Sequence, residues 1–393
     1  MPSTMSLLDQ SKELQAEIIE VRRHLHQYPE LSFEEVETSK LAAERLKELG
    51  YAIKSGIAGT GITADIGSGA RTIAIRADMD ALPVDEAKDR PYRSKREGVM
   101  HACGHDAHVS SALAAAKLLA REETLPGRVR IIMQPAEEDV DEEGWSGAYR
   151  MIEQGAMEGV DAVIGLHMDA SIPAGKVAIM HGPVMAAADG FRITIKGQGG
   201  HGAYPEATID AVVIAAQIVQ AIQQIVSRRI PAIEPAVVTI GSIHSSSIRG
   251  NVISDRVELL GTIRSFNEDI RKKLIKEVDR VCSMAKALGG DYETEYEMGY
   301  PATVNEPRIT EVMRKAAVDT IGAENVIAVP LKTWAEDFSM LAQAAPGCFM
   351  FLGGEIAGDR RAHHSPTFDL DESGLHIGPA ILAETARRLL LES

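Results

Sequence analysis

Residues 101–108 read HACGHDAH and place three histidines, an aspartate and one of the chain's three cysteines within eight positions. Cys103 and His105 are separated by one residue, so their side chains can face one point from a loop. Thiolate, imidazole and carboxylate ligands together suit a first-row transition metal. The segment therefore predicts that Cys103 and His105 bind a metal ion, although one histidine alone could equally be a hydrogen-bonded core residue.

The other ligands of such a site must come from distant segments. A structural zinc site closes its shell with a second Cys or His pair at short spacing, and the sequence has no C-x-x-C pair. Glu138, His167 and the HHSP segment at 363–366 are the remaining candidates. Ligands drawn from several separate segments are typical of a catalytic pocket rather than of a structural metal site.

Glu137 and Glu138 directly follow the apolar run RVRIIMQPA. They could form an exposed acidic turn, since acidic residues continue as far as Glu143. Adjacent carboxylates after a buried strand are nevertheless poorly tolerated without a cation. One carboxylate can bind the metal ion while its neighbour accepts a proton from metal-bound water, so the pair predicts one ligand and one general base.

The segments that carry these residues alternate between strand and helix patterns. Apolar runs at 71–83, 128–138 and 161–169 end in acidic or histidine side chains, and helical patterns cover 108–123 and 147–157. This alternation predicts an α/β fold with a mostly parallel sheet and flanking helices. Ligands bind at the carboxyl ends of the strands in such sheets, which is where the polar side chains fall.

A second kind of pattern begins near residue 185. Its strand, helix, strand, strand, helix, strand order predicts an inserted α+β domain of the ferredoxin-like type, which we expect to act as a lid and dimerisation domain. The elements are expected at 190–200, 209–229, 236–243, 256–263, 267–288 and 291–298. We therefore expect a metal-binding catalytic domain at 1–184 and 299–393, and the inserted domain at 185–298.

The composition excludes several classes of partner. The 393 residues carry a formal net charge of −16, and their basic residues are dispersed, so nucleic acids and anionic membranes are poor partners. The N-terminal segment has no signal-peptide pattern. Cys103, Cys282 and Cys348 are odd in number and widely separated, which favours reduced thiols over disulfides. We therefore expect a cytoplasmic protein.

Motifs along nearly the whole chain resemble, in order, those of the M20 metallopeptidases. Within that family the similarity is to the amidohydrolase branch, which includes aminoacylases, hippurate hydrolases and IAA-amino acid hydrolases. The motifs are RRHLHQYPELSFEE (22–35), RADMDALP (76–83), MHACGHDAH (100–108), QPAEE (134–138), GLH (165–167), GGHGAYP (199–205), GTIRSF (261–266), AEDFS (335–339) and HSP (364–366).

The resemblance implies a binuclear metal site and names its residues. Glu137 matches the general base, Asp80 matches an acid that supports the site, and Asp78 falls where other M20 branches carry a histidine ligand. We expect two divalent ions, manganese or zinc, with cobalt and nickel also compatible with this shell. The implied ligands are Cys103, His105, Glu138, His167 and His364.

Further residues of the inserted domain are implied to meet the substrate. His201 matches a histidine that reaches the active site of a neighbouring subunit and stabilises the oxyanion, which implies a homodimer or a dimer-based oligomer. Asn251 matches a residue near the substrate carboxylate. Recognition of that carboxylate needs a polar donor or a cation, and the inserted domain offers Arg249 and Arg264 together with Asn251.

The predicted function is metal-dependent hydrolysis of an N-acetyl or N-aroyl amino acid to a carboxylic acid and a free amino acid. A carboxypeptidase or dipeptidase could use the same binuclear site, and a metal- or ligand-binding protein without catalytic activity is the alternative from another class. Two features depart from the amidohydrolase branch. The stretch 139–148 is longer and more acidic than a glycine-rich turn, and Trp334 stands where small residues are usual.

Overall fold

The computed structural model describes residues 5–359 and 361–392. Within these ranges the chain forms eleven α-helices and three short 3₁₀ helices. The α-helices are α1 (Leu7–Glu13), α2 (Gln15–Gln27), α3 (Val36–Glu48), α4 (His105–Ala120), α5 (Gly147–Glu153), α6 (Ala211–Arg229), α7 (Glu268–Cys282), α8 (Met284–Ala287), α9 (Pro307–Ile321), α10 (Phe338–Ala344) and α11 (Ile377–Leu391). The 3₁₀ helices cover Pro205–Ala207, Ala323–Asn325 and Glu372–Gly374.

Sixteen strands complete the described secondary structure. They are β1 (Ala52–Ile57), β2 (Gly61–Gly67), β3 (Thr72–Asp78), β4 (Arg128–Gln134), β5 (Ala162–Pro173), β6 (Val177–Ala178), β7 (Gly182–Met185), β8 (Ala187–Lys196), β9 (Gly200–His201), β10 (Ala236–Ser245), β11 (Val252–Ile253), β12 (Arg256–Ser265), β13 (Asp291–Met298), β14 (Thr303–Asn305), β15 (Val326–Ile327) and β16 (Gly347–Glu355).

The chain divides into two compact units. The first unit contains the chain up to Gly182, Val304–Pro330 and the segment from Asp337 onward. The second unit contains Pro183–Thr303 and Leu331–Glu336. The short segment Leu331–Glu336 therefore lies with the second unit, whereas the sequence pattern placed it with the catalytic domain.

An eight-stranded sheet, built from described residues alone, forms the centre of the first unit, in the order β1-β2-β4-β3-β5-β16-β6-β15. Its central strands β4, β3, β5 and β16 run parallel to their neighbours in that group. Antiparallel pairs β1–β2 and β2–β4 extend one edge. The mixed α/β fold with a mostly parallel central sheet is confirmed, and the antiparallel hairpin at its edge is an addition that the periodicity did not predict.

Strand β3 and helix α4 form the interior of the first unit. All seven residues of β3 are buried, as expected for an apolar parallel strand covered on both faces. Helix α4 is alanine-rich and nearly all of its residues are buried, so it packs closely against the sheet. It begins after Gly104, which has a φ of 102°, and a Cβ there would lie 3.1 Å from the Cβ of Met168. Glycine therefore permits the tight turn that brings His105 to the helix N-terminus.

The second unit is built on a four-stranded antiparallel sheet in the order β10-β12-β8-β13. Helices α6 and α7 contribute apolar side chains to its core, including Ile214, Ile218 and Leu274. Within the described residues, α6 is the one helix long and apolar enough to cross a membrane by length and composition. Its isoleucines recur at helical spacing and are buried against the sheet, so α6 has the amphipathic pattern of a helix that packs on a protein core.

Candidate metal centre

The structure brings the five proposed metal ligands together in the first unit. Cys103, His105 and His167 offer ligand atoms that all lie within 4.8 Å of one another, and so do Cys103, Glu138 and His364. The Cys103 Sγ to His167 Nε2 distance is 3.5 Å, and the His364 Nε2 to Glu138 Oε1 distance is 3.2 Å. Since Cys103 belongs to both groups, the two groups form one continuous cluster that could hold two ions.

Adjacent parallel strands explain why these distant residues meet. Glu137 and Glu138 follow the carboxyl end of β4, and His167 lies on β5. Both strands pair with β3, so the polar ends of three neighbouring strands lie at one edge of the sheet. His105 comes from the start of α4, and His364 comes from the loop after β16 with a φ of 59°.

His105 is oriented with its Nε2 facing this cluster. Its Nδ1 lies 2.9 Å from the backbone oxygen of Asp80 and 3.2 Å from the Asp80 Oδ1, both acceptors, so Nδ1 carries the proton and donates. Nε2 is buried without a hydrogen-bond partner among the described residues, and carboxylate oxygens of Asp78, Glu138 and Glu137 lie 3.7–3.9 Å away. A carboxylate that binds one ring nitrogen while the other nitrogen faces the cluster is the usual support of a histidine metal ligand.

The protonation energetics of the cluster also fit a cation. Burial alone would lower the pKa of His105, but Asp78 and Asp80 raise it to about 10. Burial and the charges of Glu138 and Glu137 raise the pKa of the Cys103 thiol well above its ordinary value. A divalent ion would offset the carboxylate charge and favour the thiolate, so the donor set fits a mixed-ligand transition metal site.

Metal affinity should therefore increase with pH. The raised pKa values of His105 and Cys103 keep both groups protonated at neutral pH in the metal-free protein, and both protons must leave when a metal ion binds. We expect the dissociation constant for Zn²⁺ or Mn²⁺ to fall by about tenfold or more per pH unit between pH 6 and pH 8. Competition with a chromogenic chelator measures this constant. An affinity independent of pH would contradict the assigned protonation states.

The paired glutamates have different environments. The Glu137 side chain is 7% exposed, and its Oε2 lies 3.9 Å from His105 Nε2. Glu138 offers Oε1 to His364, and its backbone N–H donates to Asp80 Oδ2 over 2.9 Å. The Asp80 carboxylate thus contacts both His105 and the backbone of Glu138. Its burial favours the neutral acid, but the hydrogen bond from His105 holds its pKa below the ordinary value.

Asp78 and His108 form a buried pair that the sequence did not assign to the site. His108 Nε2 accepts the N–H of Met168 over 2.8 Å, so its proton lies on Nδ1, which donates to Asp78 Oδ1 over 2.6 Å. Arg76 Nη1 also donates to Asp78, over 2.6 Å. The pair therefore fixes the backbone next to His167. Ligand atoms of Asp78, His105 and His108 also lie within 4.8 Å of one another. Two histidines three residues apart on α4 were the signal of this cluster in the sequence.

The acidic stretch after the paired glutamates forms an ordered turn. Asp141 Oδ1 accepts the backbone N–H groups of Glu143 and Trp145, and Arg150 donates to Asp141 Oδ2 and Glu143 Oε2 over 2.6 Å each. Two acids of this stretch, Asp141 and Glu143, are therefore paired with an arginine. Trp145 stacks on Tyr149 with ring centroids 3.8 Å apart.

The residues proposed to meet the substrate lie in the second unit. His201 is exposed and lies on β9, which pairs with β11. Asn251 is also exposed and directly precedes β11, and its carbonyl oxygen accepts the N–H of Gly202. Arg264 lies on β12, where it is half-buried and donates to the carbonyl oxygen of Ile263. Burial lowers the pKa of Arg264. His201 and Asn251 thus share one small two-stranded sheet, and Arg264 lies on the larger one.

Thiolate, imidazole and carboxylate donors at the strand ends of a mixed α/β sheet are typical of a metalloenzyme site. Residues 74–388 match the family described as Peptidase family M20/M25/M40, and the chain belongs to that family. It is an M20-type metallo-amidohydrolase.

Relatives of this chain carry both amidohydrolase and peptidase names. The chain is 40% identical over 381 residues to N-acetyl-L-cysteine deacetylase of Bacillus subtilis, covering 96% of this chain and 89% of the relative. It is 43% identical over 378 residues to thermostable carboxypeptidase 1 of Saccharolobus solfataricus, covering 93% and 94%. The solved structure of the Bacillus subtilis YXEP protein, a dinuclear metal binding peptidase from the M20 family, has a TM-score of 0.84 at 34% identity, covering 96% of this chain and 99% of that one.

Proposed function

We propose that the protein hydrolyses the amide bond of an N-acyl amino acid, with an N-acetyl or N-aroyl group, and that it uses two divalent ions. The observation that carries this proposal is the cluster of Cys103, His105, Glu138, His167 and His364, with Glu137 in contact with the same group. A protein that only binds metal would have no need for the additional buried carboxylate of Glu137. Manganese or zinc is the proposed metal, and cobalt and nickel also suit these donors.

Each residue of the site has one proposed task. Two ions, when bound by the five ligands, supply Lewis-acid chemistry that polarises the scissile carbonyl and makes water more acidic. Glu137 accepts the proton of the attacking water at its carboxylate and passes it to the leaving amine. Asp80 holds the proton on Nδ1 of His105 and keeps the ring oriented toward the cluster. Asp80 is therefore assigned a positioning role.

The second unit is proposed to act as a ferredoxin-like lid and dimerisation domain. Its strand β10 lies at an edge of the sheet, and Val212 and Val213 of α6 are exposed, which leaves apolar surface for a second copy of this chain. We assign His201 to oxyanion stabilisation in the site of the neighbouring subunit, and Asn251 and Arg264 to the substrate carboxylate. The three cysteines are buried and free, which supports a cytoplasmic location.

Mixed dimers test the proposed role of His201. If His201 completes the site of the other subunit, mixing inactive His201→Ala chains with inactive Glu137→Gln chains should restore activity, because one of the two sites in a mixed dimer carries both intact residues. We expect recovery of up to about a quarter of wild-type activity, since about half of the chains enter mixed dimers with one working site each. Activity is followed after chain exchange has been verified by mass spectrometry. No recovery would place His201 in its own subunit or outside the reaction.

A carboxypeptidase is the alternative, supported by the name of the relative from Saccharolobus solfataricus. A dipeptidase would also need a group that binds the free ammonium of its substrate, and the nearby acids Asp141 and Glu143 pair with Arg150.

A substrate panel discriminates between these functions. The metal-loaded protein is incubated with N-acetylmethionine, hippurate, N-acetylmethionine methyl ester, a carbobenzoxy dipeptide and free dipeptides, and the released amine is measured. We expect the two N-acyl amino acids to have the highest kcat/KM. The ester should be at least about tenfold slower, because a recognition group that the bound substrate covers would lose its partner at a cost of about 1–3 kcal/mol. Faster cleavage of the carbobenzoxy dipeptide would favour the carboxypeptidase, and equal rates for acid and ester would contradict carboxylate recognition.

A further inference from the structure

Glu35 is a buried carboxylate that the proposed mechanism does not use. Its side chain is fully buried, and its Oε1 accepts two backbone N–H groups, from Ala136 over 2.8 Å and from Phe33 over 3.0 Å. The Thr60 hydroxyl donates to Oε2 over 2.5 Å. Glu35 lies 101 residues before Ala136 in the chain, so the contact joins the N-terminal loop to the segment that carries the paired glutamates.

Both N–H groups that Glu35 binds belong to residues with an unusual backbone. Phe33 has a φ of 63° and Ala136 has a φ of 46°. These left-handed conformations cost energy in residues that carry a Cβ, and they persist only where their surroundings hold them. Ala136 directly precedes Glu137, so the left-handed conformation of Ala136 sets the orientation of the backbone at Glu137.

The backbone on both sides of Glu137 is held by buried carboxylates. Glu35 binds the N–H of Ala136, and Asp80 binds the N–H of Glu138. The carbonyl oxygen of Ala136 also accepts the N–H of Gly147 over 2.8 Å. A Cβ on Gly147 would lie 1.7 Å from the Pro135 oxygen, so this third contact depends on glycine. Three backbone hydrogen bonds at Ala136 and Glu138 therefore hold the backbone on both sides of Glu137.

We propose that Glu35 is a positioning residue for hydrolysis, which holds Ala136 in its left-handed conformation and thereby aims the Glu137 carboxylate at the reacting water. This inference rests on the proposed role of Glu137 as general base. Small displacements of a catalytic group reduce turnover strongly, because proton transfer requires close heavy-atom contact. Burial and the neighbouring charge of Asp80 raise the pKa of Glu35 to about 7.

Four variants separate positioning from simple support of the fold. Glu35→Met has a similar length but accepts no hydrogen bond, and Glu35→Asp keeps the charge but is too short to reach the Ala136 N–H. Glu35→Gln keeps an oxygen that can accept both N–H groups, and it serves as the conservative rescue. Glu34→Met is the matched control, because Glu34 is the exposed neighbour of Glu35.

We expect Glu35→Met and Glu35→Asp to lower kcat about tenfold or more, with KM and metal content little changed. Glu35→Gln and Glu34→Met should stay within about threefold of wild type. Adding Ala136→Gly to Glu35→Met should restore most of the lost kcat, because glycine adopts the left-handed conformation without help. Three results would overturn the proposal. They are wild-type kcat in both Glu35→Met and Glu35→Asp, a loss of kcat that missing metal explains, and no restoration of kcat by Ala136→Gly.

Hydrogen exchange provides a readout that does not depend on turnover. The Ala136 amide should exchange slowly in the wild type and in Glu35→Gln, and at least about tenfold faster in Glu35→Met. This result is expected even if the panel reveals no substrate, so failure of the proposed function and failure of this inference are distinguishable. Equal protection of the Ala136 amide in the wild type and in Glu35→Met would show that Glu35 does not hold this turn.

Discussion

Glu137→Gln is expected to retain its metal ions and to lose about 10²–10⁴-fold in kcat, the usual contribution of a general acid–base group. Glutamine has nearly the same shape as glutamate but cannot accept the proton of the attacking water. Glu137 is buried and close to His105, so the substitution places a neutral amide in a space that already holds a side chain of that size. Steady-state kinetics and elemental analysis of the same preparation measure both parts of this prediction.

Glu142→Gln is the matched control for that variant. Glu142 lies five residues further along the same segment, and it is exposed. We expect wild-type kcat and metal content from Glu142→Gln, since its charge faces solvent, where isolated interactions are screened. A Glu137→Gln protein with wild-type kcat would remove Glu137 from the role of general base.

Glu138→Gln is expected to fail in the opposite way, through loss of metal. The Glu138 Oε1 lies 3.2 Å from His364 Nε2 and 3.8 Å from His105 Nε2, at the centre of the ligand cluster. Loss of a residue that hydrogen-bonds a metal ligand typically weakens metal binding by about 10–100-fold. Replacing the charged ligand itself by an amide should weaken metal binding by more than that. At stoichiometric metal the protein should therefore be nearly inactive.

Excess metal distinguishes this loss from a loss of catalytic chemistry. Raising the metal concentration well above the chain concentration should restore part of the activity of Glu138→Gln and none of the activity of Glu137→Gln. If Glu137→Gln empties the site while Glu138→Gln stays filled, the assignments of ligand and base are reversed.

The periodicity of the sequence predicted the central strands and the segments that supply the site. Buried parallel strands such as β3 are continuous apolar runs, and polar residues at their ends signal the ligand-binding edge of the sheet. Helix α4 was expected to begin at residue 108, and it begins at His105. The difference arises because Gly104 takes a left-handed conformation that lets the helix start three residues earlier.

The edge hairpin of β1 and β2 was missed for a physical reason. β1 is mostly exposed, and its residues form neither a continuous apolar run nor a regular apolar–polar alternation. Its hydrophobic signal is therefore weak. The pairing with β2 depends on the positive φ of Ala58 and Gly59 in the connection, which residue composition alone indicates poorly.

The buried polar network behind the ligand loop was also missed. Arg22 Nε donates to Asp106 Oδ2 over 2.9 Å, and His26 Nδ1 lies 2.8 Å from the same oxygen. Arg22 and His26 lie 84 and 80 residues before Asp106 in the chain. All three side chains are fully buried. Periodicity identifies which face of a helix is apolar, but it does not identify which distant charge neutralises a buried one. Loss of one partner of such a pair typically costs about 3–5 kcal/mol.

Metal titration of the apoprotein tests the central claim most directly. Chain that elemental analysis shows to be free of metal is titrated with Mn²⁺ or Zn²⁺ while amine release from N-acetylmethionine is followed. A binuclear site in which Cys103, His105, Glu138, His167 and His364 share two ions predicts no turnover without metal and a plateau near two equivalents per chain. Full activity in the metal-free protein would contradict the account.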